Sequence, residues 1–140
     1  MFLPLLLGCT VHLGLPPSRG YAVVRVDAPV AEPDVDTRVR AAIEGALAAR
    51  GASGSEALSV VVERASWSPA RREGDVVVYT AELRLRLASG GRSRVAVASS
   101  QVPGPADAAL ARQARAAAFA ALAERAAADG VTWLLYGEPQ

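Results

Sequence analysis

The stretch Val76-Val77-Val78-Tyr79-Thr80-Ala81-Glu82-Leu83-Arg84-Leu85-Arg86-Leu87 alternates almost residue by residue. Val77, Tyr79, Ala81, Leu83, Leu85 and Leu87 fall on one face, and Val78, Thr80, Glu82, Arg84 and Arg86 on the other. A two-residue period of this kind predicts a strand with one buried and one wetted face. Such a strand belongs to an antiparallel sheet open to water on one side. Gly90-Gly91 then supplies a tight turn, and Arg92 to Val102 is predicted to return as a partner strand.

Working backwards, Ser68-Pro69-Ala70-Arg71-Arg72-Glu73-Gly74-Asp75 has turn chemistry and is expected to be a charged hairpin loop. Before it, Leu58, Val60 and Val62 alternate into a strand running toward Trp67. Val35, Val39, Ala42, Ile43, Ala46 and Leu47 recur at helical spacing, with Asp34 as expected N-cap and Gly51 as the residue that ends the helix. Tyr21 to Ala28 alternates as a first strand, with Val24, Val26 and Ala28 on one face and Arg25 and Asp27 on the other. Working forwards, Pro103-Gly104-Pro105 is expected to end the sheet. An alanine-rich helix follows from about Ala106 to Ala128, with Leu110, Ala114, Ala117, Ala121 and Leu122 as its expected buried stripe. Val131 to Tyr136 either extends that helix past Gly130 or packs as a tail. The order β-α-β-β-β-α predicts an α+β two-layer sandwich: a four-stranded, mainly antiparallel sheet with two helices on one face.

Residues 21–140 suffice for one such domain, without internal repeat or second domain. The chain has 140 residues, one cysteine and one histidine, and fifteen basic against fourteen acidic residues, a net charge of +1. A lone cysteine makes no internal disulfide framework. The charge balance and an aromatic content of 5% point away from nucleic acid. Every basic residue is an arginine, which with the abundance of Ala, Gly and Val marks a GC-rich genome.

At the N-terminus, Leu6-Leu7-Gly8-Cys9 places a short apolar run and a small residue before the cysteine. That order suits lipoprotein signal peptidase: residues 1–8 would be removed and the Cys9 thiol acylated. No Arg or Lys precedes the apolar run, so residues 1–8 are expected to be a partial signal peptide. Residues 9–20 would be the acylated cysteine and a flexible tether rich in Gly, Pro and Ser. Thr10 to Gly20 reaches at most ~35–40 Å. Thr10 is not an aspartate, which favours transfer to the outer membrane, with the domain facing the periplasm.

No catalytic set stands out, so the chain is expected not to be an enzyme. His12 lies in the tether, no metal-ligand spacing is present, and Ser89-Gly90-Gly91 sits between strands rather than before a helix. No cofactor or metal is expected. The remaining chemistry lies in arginines: Arg71 and Arg72 beside Trp67, Arg112 and Arg115 in the first turns of the last helix, and Arg84, Arg86 and Arg94 on the outer sheet face. Guanidinium groups fork onto phosphate or carboxylate oxygens.

These features together resemble the lipopolysaccharide-assembly lipoprotein family (LptE). Cys9-Thr10-Val11-His12-Leu13 is similar to the family's start, although Val11 stands where an aromatic is usual. Glu32-Pro33-Asp34-Val35 leading into Val39, Ile43 and Leu47 resembles its first helix. Gly74 to Tyr79 with Leu83, Leu85 and Leu87 resembles its central hairpin, and Ala109-Leu110-Ala111-Arg112 its last element. The resemblance implies a lipid-anchored plug in the lumen of the outer-membrane β-barrel LptD, assisting barrel assembly and lipopolysaccharide delivery. It would place lipopolysaccharide contacts on Arg71, Arg72 and Arg112. Two other roles are open: a lipoprotein regulator docking an envelope synthase, and a purely structural exported domain.

Overall fold

The computed structural model describes residues 19–137, so Cys9, His12 and nearly all of the tether lie outside the described residues. Six elements follow in order: β1 (Tyr21–Asp27), α1 (Val35–Ala49), β2 (Glu56–Glu73), β3 (Val76–Ser89), β4 (Arg92–Pro105) and α2 (Ala108–Tyr136). The strands lie in the order β1-β2-β3-β4. β1 runs parallel to β2, and the other two pairings are antiparallel. The expected architecture and element order are those observed.

Leu58, Val60 and Val62 of β2, Ala81, Leu83, Leu85 and Leu87 of β3, and Ala96 and Ala98 of β4 form the buried sheet face. Val35, Val39, Ile43 and Leu47 press α1 onto it. Both helices run in the same direction. Arg115 of α2 is paired with Glu32, just before α1. At the other end, Arg50 after α1 donates to Thr132 Oγ1 at 2.9 Å and to the Ala128 carbonyl at 3.4 Å.

Several local expectations are corrected. Residues 68–73 are strand rather than loop; only Gly74-Asp75 turns, with Gly74 at φ 63. A glycine at the first position of a two-residue turn suits a twisted hairpin, so the strands continue to its edge. β4 likewise runs on through Pro103 and Pro105. β4 is an edge strand, where a missing N–H need not cost a ladder bond. Val24 is bulged out of β1 and 58% exposed, leaving Val23 and Val26 to face the core. Asp34 holds a left-handed conformation (φ 57) and its side chain caps nothing; its carbonyl accepts from the Arg38 N–H at 3.1 Å.

The largest correction concerns α2. Its buried positions are Ala111, Ala118, Phe119, Leu122, Ala123, Ala126, Ala127, Gly130, Val131, Trp133 and Leu134, while Leu110 is 70% exposed and Ala117 and Ala121 face water. With alanine on nearly every side, polarity does not phase the helix, and Phe119 sets the rotation instead. Asp107, accepting from the N–H groups of Ala109 and Leu110, is its N-cap. The helix continues past Gly130, where a Cβ would come within 2.8 Å of Leu87 Cδ2. Glycine there lets helix and sheet touch.

Candidate functional site

The register sorts the arginines by face. Arg71 pairs with Val78 and Arg72 with Val77, so these neighbours point to opposite sides of the sheet. Arg71 belongs to the open face, where its Nε donates to Glu73 at 2.8 Å and its Nη1 to Gln101 at 3.0 Å. The rest of that face is laced in the same way. Arg84 and Arg86 converge on Glu63, Arg64 meets Glu82 at 3.6 Å, and Arg25 meets Asp27 at 2.7 Å. Arg94 is not with Arg84 and Arg86 as expected. It stands opposite Leu87, on the helix-covered side, and is half-buried.

A different arrangement occupies the pole where the helices begin. The loop before α1, the first turn of α1 and the first two turns of α2 enclose a cleft of about 590 Å³, lined by Ala31, Glu32, Pro33, Asp34, Arg38, Arg112, Gln113, Arg115 and Ala116. Glu32 is the structural key. Its side chain is only 6% exposed, and Arg115 grips both its oxygens, through Nε at 2.8 and 3.1 Å and through Nη2. A planar guanidinium matches a carboxylate in this two-pronged way. Arg38 is half-buried and Arg112 exposed, and among the described residues neither side chain has an acceptor. Desolvating a guanidinium without an acceptor carries a cost, so an unpaired, half-buried Arg38 is unusual.

A second groove of about 290 Å³ shares the Arg112–Arg115 ridge. Its wall holds Trp67, Pro69, Val77, Tyr79, Ala106, Ala108 and Ala111. Trp67 and Tyr79 stack with ring centres 4.5 Å apart and planes at 18°. The Tyr79 hydroxyl donates to the Pro105 carbonyl at 2.6 Å, and a Cβ at Gly104 would lie 3.3 Å from its ring. Val77, Tyr79 and Ala111 form a small apolar cluster of their own, and Trp67 packs against both it and the main core.

Of the three expected binding residues, Arg71, Arg72 and Arg112 lie at one end of the sheet, because the β2–β3 turn and the start of α2 share that pole. They do not share a surface: Arg71 is on the open face and only Arg112 lines the cleft. Sequence reasoning missed Arg38 and the Glu32 partner of Arg115. The available signal was Glu32 itself, a carboxylate inside the Pro-flanked break between β1 and α1. Among the described residues no group of three or more His, Cys, Asp or Glu gathers as a metal site, and no helix is long and apolar enough to cross a membrane.

No family model and no curated protein matches the sequence. Solved structures do match in shape. One is a Xanthomonas campestris protein described by the family model DUF330, with 16% identity over 85% of each chain and a TM-score of 0.53. Two others align less closely. A minor lipoprotein from Acinetobacter baumannii has 11% identity over 80% of this chain and 91% of its own, with a TM-score of 0.49. The PelC dodecamer from Paraburkholderia phytofirmans has 16% identity over 79% of this chain and 89% of that chain, with a TM-score of 0.42. At these identities the likeness is one of fold: the chain shares the β-α-β-β-β-α architecture of the Xanthomonas protein.

Proposed function

We propose that this chain is a lipid-anchored lipoprotein of the outer membrane, facing the periplasm and without a catalytic step of its own. In this reading it plugs and helps assemble the LptD β-barrel and assists lipopolysaccharide transport to the cell surface. The observation that carries it is Leu6-Leu7-Gly8-Cys9, followed after eleven intervening residues by the first strand of a single folded unit. A sequence that offers an acylation site, a short tether and a small two-layer domain fits an accessory subunit held beside a membrane partner. Arginines gathered at one pole suit an anionic glycolipid.

The test is co-purification. Tagged full-length chain extracted from membranes in detergent is expected to bring down a large β-barrel and to carry acyl mass on Cys9. A pull-down without a barrel removes the plug reading, and an unmodified Cys9 in the membrane-bound protein removes the anchor.

One observation favours a second reading, a lipoprotein that docks an envelope synthase. The chain enters the domain at Gly20, beside the pole of the Gly90-Gly91 turn, while the arginine cleft lies at the opposite pole. A fourteen-residue strand such as β3 spans roughly 45 Å between those poles. That arrangement would present the cleft away from the anchoring bilayer, and recovery of a synthase instead of a barrel would decide for it.

A further inference from the structure

We infer that the cleft between the helix starts is a binding site for a phosphorylated sugar, with Arg38 and Arg112 as its phosphate contacts and the Trp67–Tyr79 groove as the seat of the sugar ring. The inference stands on the cleft alone and needs neither the anchor nor the barrel.

Three observations carry it. The first is the division of labour among the cleft arginines. Arg115 is saturated by Glu32, which fixes the ridge of α2 against the loop before α1. Arg38 and Arg112 are left without acceptors among the described residues, on opposite walls of the cleft. The open sheet face shows the contrary habit. There Arg25, Arg64, Arg71, Arg84 and Arg86 each have a carboxylate within 4 Å. Two guanidinium forks facing one space of about 590 Å³ are suited to oxygens of a tetrahedral anion.

The second observation is the shared ridge. Arg112 and Arg115 line both the cleft and the neighbouring groove, so a ligand held at Arg112 continues directly past Trp67. Ligand sites commonly join an apolar or aromatic wall to a few placed polar groups. The groove wall of Trp67, Pro69, Val77 and Tyr79 offers apolar contact to a sugar ring, and a bare inorganic anion would leave that wall unused. The third observation is Asp34. It is the one carboxylate of the cleft that no arginine claims, and among the described residues it is the only non-glycine with a positive φ. An aspartate there opposes an anion, which makes it a specificity element: it tolerates a ligand that brings a hydroxyl to its carboxylate and disfavours one that brings only charge.

The chemistry is shared by soluble sugar phosphates and by sugar phosphates on lipids, and the experiment separates them. Full-length protein is titrated calorimetrically with inorganic phosphate, with glucosamine, and with glucosamine phosphate. It is also incubated with phosphatidylcholine vesicles, with and without phosphatidylinositol phosphate. Glucosamine phosphate is expected to bind saturably, and inorganic phosphate or glucosamine at least about tenfold more weakly. Arg38→Ala with Arg112→Ala is expected to weaken glucosamine phosphate at least about tenfold, the loss of one or two charge-assisted contacts. Trp67→Ala should weaken the sugar phosphate and leave inorganic phosphate unchanged. Asp34→Asn, compatible with a left-handed backbone, should tighten inorganic phosphate a few-fold. Vesicle binding that depends on the phosphoinositide, without binding of the free sugar phosphate, assigns the site to lipid-borne ligands. Binding of the free ligand assigns it to soluble ones. No saturable binding in either arm, or binding unchanged in the Arg38/Arg112 double variant, overturns the proposal. The thermal midpoint of each variant serves as the folding control, and neither arginine supports a contact whose loss would move it.

Discussion

The open sheet face and the helix-start cleft hold the same residue type to different ends. On the open face every arginine of β1, β2 and β3 with a defined ion pair has its carboxylate on the same or the adjoining strand. In the cleft one arginine is committed to a buried carboxylate and two are not. A net charge of +1 conceals this difference completely. Charge counts average over faces, whereas recognition depends on which cations lack a local partner.

The comparison can be broken by substitution, and the largest effect falls in the cleft. Arg115→Ala leaves Glu32 desolvated without its partner and is expected to cost about 3 kcal/mol, near the lower end for breaking a buried pair, because Arg115 is 38% exposed. Urea unfolding measures this; a loss under about 1 kcal/mol would demote the pair to a surface contact. Next comes Glu63→Ala, which strips Arg84 and Arg86 of their common acceptor. Both are about half exposed, so the expected cost is about 1 kcal/mol and shrinks in high salt. The smallest effect is expected from Arg112→Ala, within about 0.5 kcal/mol of the parent protein. If Arg112→Ala instead destabilised as much as Arg115→Ala, the cleft would be a structural seam and the contrast between the two regions would vanish.

The strands and their faces were legible because alternation is a strong signal wherever polar and apolar residues take turns, as in Val77 to Leu87. It failed where that contrast lapses. Val24 lies within a run of valine, and alternation does not say which valine is bulged out of register. α2 has alanine at 13 of its 29 positions, and its rotation is set by where Phe119 and Trp133 can be buried. The two-residue turn at Gly74-Asp75 was hidden by the charged residues before it, which resemble a loop until their pairing across to β3 is known. For the site, Arg112 was found from its place at the start of a helix. Arg115 was read beside it, but Arg38 and the pairing of Arg115 with Glu32 were not, since Glu32 and Arg115 are separated by 83 positions and meet only through the packing of α1 against α2.

The contact between Gly130 and Leu87 reaches further than the core it closes. α2 is one unbroken rod that touches the sheet at Gly130 and carries Ala111 and Arg112 near its other end. Eighteen residues of helix separate Gly130 from Arg112, about 27 Å of lever. A single methyl at Gly130 would press on the end of the Leu87 side chain, and any part of that clash Leu87 could not absorb would have to be taken up by the helix that carries Arg112 and Arg115. The closeness of helix to sheet at one end thus bears on the cleft at the other.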